Sequence, residues 1–135
     1  MPWPQFLDAY RAIIAAGVQA LAPHRFAVWV IGDVRGPDGS YRGLVAETIR
    51  AFADAGATLY NEAILVTPLG SLQVRVGRQF DAGRKMGKTH QNVLTFVKGD
   101  PAAAVRACGH VDVSFPEIED DHAIDSPGQN APDLS

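Results

Sequence analysis

Apolar side chains recur at spacings of three and four through Phe6, Tyr10, Ile13, Ile14, Val18 and Leu21. That period predicts a helix with one buried face. Pro4 suits its first turn and Pro23 ends it. Phe26–Ile31 (FAVWVI) is then an unbroken apolar run, too short for a helix and rich in β-branched and aromatic residues. Such a run predicts a strand buried on both faces, as in the parallel sheets of α/β proteins. Gly32-Asp33 closes it, and Gly36-Pro37-Asp38-Gly39 marks a turn within a glycine-rich loop over residues 32–43.

Val45, Ile49 and Phe52 predict a second helix over Leu44–Ala55, stopped by Gly56. Thr58–Thr67 reads as a second strand. Pro68–Thr89 has no sustained period and reads as a long loop with a short strand at Leu72–Val76. Asn92–Lys98 is a third strand, and Asp100-Pro101 caps and opens a helix reaching Cys108. The order is that of an α/β fold with three main strands and flanking helices. A first strand covered on both faces needs neighbours on both edges, more than these three strands supply.

At 135 residues and 47% apolar content, the chain fits one small globular domain. Cys108 is the only cysteine, which excludes an internal disulfide and fits a reducing compartment. No apolar run reaches the roughly 18 residues of a membrane span, and Met1-Pro-Trp-Pro lacks a basic leader start. A soluble, cytoplasmic protein is expected. The net charge of −3 is unevenly distributed. Residues 110–135 hold seven acids and no Lys or Arg, with prolines at 116, 127 and 132. We therefore divide the chain into an α/β domain over 1–109 and an acidic tail over 110–135, expected to be disordered after Phe115.

The basic excess gathers between Leu69 and Lys98, where Arg75, Arg78, Arg84, Lys85, Lys88 and Lys98 face only Asp81. A field of that sign attracts phosphate. Gly83–Asn92 (GRKMGKTHQN) sets two glycines around a basic cluster and then runs His90, Gln91 and Asn92 into a strand. Such a segment suits a sugar-phosphate backbone while offering His and Gln toward a base. Gly87-Lys88-Thr89 is not a phosphate loop of the nucleotide-hydrolase kind, because the glycine spacing is short and a strand rather than a helix follows. The four histidines show no metal-ligand spacing, so no metal site is predicted.

Ligands of open α/β sheets bind beyond the carboxyl ends of the strands. That places Asp33, Arg35 and Arg42 at such an edge, the arginines suited to phosphate and Asp33 to a ribose or a base. Asn61-Glu62 is an odd pair inside a strand. Glu62 is expected to face solvent and Asn61 to pair with neighbouring backbone.

Phe26–Gly36, Ala57–Val66 (ATLYNEAILV) and Gly83–Asp100 (GRKMGKTHQNVLTFVKGD) together resemble the later half of phage-type DNA methyltransferases acting on the amino group of adenine or cytosine. The resemblance covers residues 5–109. It implies a partial class I methyltransferase (Rossmann-like) sheet in which this chain gives the fifth, sixth and seventh strands, the seventh antiparallel between the other two. It also implies DNA as partner and S-adenosylmethionine as cofactor. The family's Asp/Asn-Pro-Pro-Tyr/Phe segment and its Phe-x-Gly-x-Gly cofactor loop are absent from these residues, so no catalytic residue is carried over. The implied DNA-facing residues are Arg35, Arg42, Arg75, Arg78, Arg84, Lys85, Lys88 and His90, with Asp33 at the active-site edge.

Three functions follow as expectations. The first is a truncated or split piece of a DNA amino-methyltransferase, inactive until a complementary half joins it. The second is a non-enzymatic DNA-binding or regulatory module on the same scaffold. The third is a structural homodimer paired through the open edge of Phe26–Ile31.

Overall fold

A computed structural model describes residues 1–68 and 72–114, with backbone alone for residues 72–75. The order is α1 (Trp3–Ala20), β1 (Arg25–Ile31), α2 (Leu44–Asp54), β2 (Ala57–Val66), α3 (Leu72–Gly83), β3 (His90–Lys98) and α4 (Pro101–Cys108). The three strands form one sheet in the order β1-β3-β2. Both ladders are antiparallel, Val30 facing Val93 on one side of β3 and Ala63 facing Val93 on the other. The last strand thus lies between the first two, as the resemblance implied.

One face of the sheet carries the core. Ile14 and Val18 of α1, Ala51 and Phe52 of α2, Ala57 of β2, and Leu94 and Phe96 of β3 form a buried cluster. Phe52 stacks on Phe96 with centroids 3.8 Å apart, and Trp29 meets Phe52 edge-on at 5.6 Å. A polar chain crosses this layer. Trp29 Nε1 donates to Tyr10 Oη at 2.9 Å, Tyr10 Oη lies 2.7 Å from Thr48 Oγ1, and Thr48 Oγ1 donates to the Leu44 carbonyl at 2.7 Å.

Lys98 closes α1. Its Nζ donates to the carbonyls of Val18 (2.7 Å), Gln19 (3.3 Å) and Leu21 (2.7 Å). The last turn of α1 has no basic residue of its own, so β3 supplies the cation that its carbonyls and dipole favour. On the opposite face α4 packs against β1 and β3. Asp100 caps it, Oδ2 accepting from the Ala103 amide at 2.8 Å.

Two expectations are corrected. β1 is not buried on both faces: Ala27, Trp29 and Ile31 turn to the core side, while Val28 and Val30 are 60% and 48% exposed. Its continuous apolar pattern therefore does not match the cover present among the described residues. Both ladders are antiparallel because β3 runs against both neighbours, as the resemblance implied for the last strand. Residues 72–83 form a helix, not a loop with a short strand. Leu72, Val76 and Phe80 make a spacing of four that the alternation of Leu72, Val74 and Val76 hides. The disorder expected after Phe115 lies outside the described residues.

Candidate nucleic-acid interface

The loop that leaves β1 is built on Asp33. Its Oδ1 accepts from the Val34 amide at 2.8 Å and from the Leu44 amide, the first of α2, at 3.0 Å. Gly43 precedes α2 without a capping side chain of its own, so Asp33 satisfies a free helix amide from eleven residues away. Between these points the chain folds back as a small hairpin. Arg35 bridges Tyr41, Gly36 N donates to Ser40 O at 2.9 Å, and Arg42 N donates to Val34 O at 2.9 Å. The turn rests on Gly39, whose φ of +84° a side chain rarely adopts.

The hairpin orients two arginines differently. Arg35 donates to Gly39 O at 2.7 Å and lies 3.9 Å over the Tyr41 ring. Arg42 lies 4.5 Å over the Trp3 ring. Guanidinium faces stack well on aromatic rings.

The second wall comes from the segment after α3. Arg84, with φ +51°, caps the turn. Its amide donates to Phe80 O at 2.7 Å and its Nη1 to the same carbonyl at 3.2 Å. The floor comes from His90 and Asn92 of β3. An open cleft of ≈ 500 Å³ results, lined by Asp33, Arg35, Tyr41, Val45, Arg84, Met86, Gly87, Lys88, His90 and Asn92. That volume is in the range of small-molecule and nucleotide sites.

Of the nine residues singled out from the sequence, the cleft gathers five: Asp33, Arg35, Arg84, Lys88 and His90. Arg78 and Lys85 line a separate groove along α3. Lys85 Cε lies 3.1 Å from the position of a Cβ on Gly39, so its stem crosses the hairpin turn. Arg42 borders other grooves beside Trp3. The side chain of Arg75 lies outside the described residues.

Three cations therefore face one carboxylate in the cleft. Among the described residues neither Arg35 nor Lys88 has a carboxylate within 4.0 Å, and Arg84 reaches Asp81 only at 4.0 Å on an exposed surface. An exposed pair at that distance contributes little, so all three charges are available to an anion. Lys98, counted with the basic field in the sequence, is committed to the end of α1 and adds nothing here.

The sequence reading missed one polar pair. Asn92 Nδ2 donates to Glu62 Oε1 at 2.8 Å across the β3–β2 ladder. Glu62 is exposed, as expected, but it is held in place by a partner thirty positions away. The unusual acid in an apolar strand was the available signal; its partner required the register. Tyr41 was also missed, although the turn at Gly36–Gly39 sets it opposite Arg35.

The residues present do not fit S-adenosylmethionine. The one carboxylate lining the cleft, Asp33, already has two backbone amides on Oδ1, and three cations repel a sulfonium.

No protein-family model and no curated protein matches the sequence. Among solved structures, this chain is similar to a protein from Thermus thermophilus provisionally described as a DNA modification methylase. The two share 18% identity with a TM-score of 0.56, over 73% of this chain and 38% of the other. The likeness shows the fold: a partial methyltransferase-like arrangement. The chain thus spans well under half the length of its neighbour. No described helix is long and apolar enough to cross a membrane.

Proposed function

We propose that this chain is the DNA-contacting portion of a phage-type DNA amino-methyltransferase. Its sheet is completed along β1 by strands from outside these 135 residues. The observation that carries the reading is the cationic cleft at the carboxyl end of β1, set in a methyltransferase-like sheet. Ligands of open α/β sheets are found at such strand ends. Arg35, Arg84 and Lys88 hold phosphates, and His90 and Asn92 lie on the floor where a base edge would come.

The missing chemistry belongs to the completing part. These residues contain no Asp/Asn-Pro-Pro-Tyr segment to hold a target amino group, and the cleft does not suit the methyl donor. The chain alone is therefore inactive on this reading, and titration with S-adenosylmethionine in a calorimeter gives no binding heat. The same misfit favours a second reading, a DNA-binding regulatory module that keeps the scaffold without the reaction. Adding a complementary portion that carries the absent motifs separates the two. Methyl transfer to DNA follows only from the first.

Equilibrium binding to duplex DNA over a range of salt concentrations tests both readings. Each phosphate neutralised contributes about 0.9 to the slope of log K against log salt. Replacing Arg35, Arg84 and Lys88 together by alanine is expected to flatten that slope by about 2.7. A slope unchanged by the triple substitution removes the cleft from any account of DNA binding.

A further inference from the structure

We infer that the acidic segment over residues 115–135 is an occupant of the cationic cleft, docking on Arg35, Arg84 and Lys88 as an intramolecular competitor of phosphate. The contact itself rests on the cleft alone. Its consequence, weaker DNA binding by the free chain, rests on the DNA-binding reading above. Residues 115–135 carry six acids and no Lys or Arg, and five of the six fall between Glu117 and Asp125. The cleft has the opposite character. Among the described residues Arg35 and Lys88 have no carboxylate within 4.0 Å, and Arg84 reaches Asp81 only at 4.0 Å. The separate groove along α3 adds Arg78 and Lys85 to the positive field.

Charges of opposite sign on one chain meet at an effective concentration on the order of millimolar when the connecting segment can span the gap. Here it can. The cleft lies at the His90 end of β3, while α4 and everything after it leave from the Lys98 end. Nine residues make β3 about 30 Å long. Asp125 is eleven residues beyond Ser114, the last described residue, and such a stretch spans up to about 36–40 Å. Alternate side chains of an extended segment share one side. Glu117, Glu119 and Asp121 thus offer three carboxylates together, one for each cation of the cleft.

The test compares the full chain with a full-length variant carrying Glu117→Gln, Glu119→Gln, Asp120→Asn, Asp121→Asn and Asp125→Asn. Without DNA, the amide resonances of Gly87, Lys88 and His90 are expected to shift between the two. The resonance of Gly56, at the far end of the sheet beside the Ala57–Lys98 pair, should stay. Added salt should move the cleft resonances of the unmodified chain toward the variant's positions, because exposed ion pairs are screened. Duplex DNA should bind the variant about 3- to 30-fold more tightly at low salt, the range for three exposed ion pairs less the cost of closing the loop. Arg35→Ala, Arg84→Ala and Lys88→Ala together remove the docking site. In that background neutralising the acids should gain little, since the two sets of changes act on one contact.

Unmoved resonances at Gly87–His90 overturn the docking. So does an affinity gain of equal size in both backgrounds, which would mark the acids as a diffuse repulsion of DNA. Shifts that grow with protein concentration place the contact between two copies and overturn its intramolecular form. Absence of DNA binding by every variant removes the DNA reading, while the resonances still decide whether the cleft holds the acidic segment.

Discussion

Thr48 is fully buried and its single proton goes to the Leu44 carbonyl. Its oxygen must therefore accept from Tyr10, and Tyr10 in turn accepts from Trp29 Nε1. Every donor in this chain has one acceptor, so the proton directions from β1 through α1 to α2 are determined. Thr48→Val keeps the shape but leaves the Tyr10 hydroxyl without its acceptor. The expected loss is about 1–3 kcal/mol, the cost of an unsatisfied buried donor, read from urea denaturation. Tyr10→Phe in the Thr48→Val background should cost less than the two single changes added, because it removes the stranded donor. Lys98 makes a related point. A sequence count places it in the phosphate-attracting field, yet three carbonyls at the end of α1 hold it. Lys98→Met is expected to lower stability by about 1–2 kcal/mol with no change in the salt dependence of DNA binding.

Elements were readable wherever one period dominated. The spacings in α1 and α2, the proline after Asp100 and the apolar runs of β1 and β3 all correspond to observed elements. α3 was misread because Gly77 and Gly83 weaken a helix pattern and residues 72–76 also alternate. The cleft was readable only in part. Arg84, Lys88 and His90 are close together in the chain, but joining them to Arg35 needs the antiparallel register, and Glu62 with Asn92 needs it to the residue. A junction between elements offers a controlled test. Gly99, between β3 and α4, has φ +85°, and a Cβ there would sit 2.8 Å from His24 Nδ1. His24 Nδ1 also accepts from the Asp100 amide at 3.0 Å, beside the α4 cap. Gly109, after α4, has φ +74° and no atom within 4 Å of such a Cβ. At φ +74° and ψ −170°, Gly109→Ala should cost about 1–3 kcal/mol from backbone conformation alone. Gly99→Ala adds the displacement of His24 to the strain of its own positive φ, and its melting temperature should fall further.

At the scale of the whole molecule, the mismatch between pattern and cover is the most informative feature. β1 has the sequence of a strand covered on both faces, yet among the described residues one edge is unpaired and α4 leaves much of the second face open. Val28 and Val30 stand exposed, and an apolar groove lined by Ile13 and Ile14 of α1, by Leu21 just after it, and by Val28 runs beside the strand. An open edge with apolar flanks pairs with another strand when one is offered. Substituting Val28→Lys and Val30→Lys together separates the consequences. Both side chains are already exposed, so stability should change by no more than about 1 kcal/mol, the span of strand propensities. Self-association measured by sedimentation velocity should fall, and so should capture of a complementary methyltransferase portion, because both use the same face. Unchanged capture alongside unchanged association would mean that β1 is not where the sheet continues, and the completed-sheet reading would lose its geometric basis.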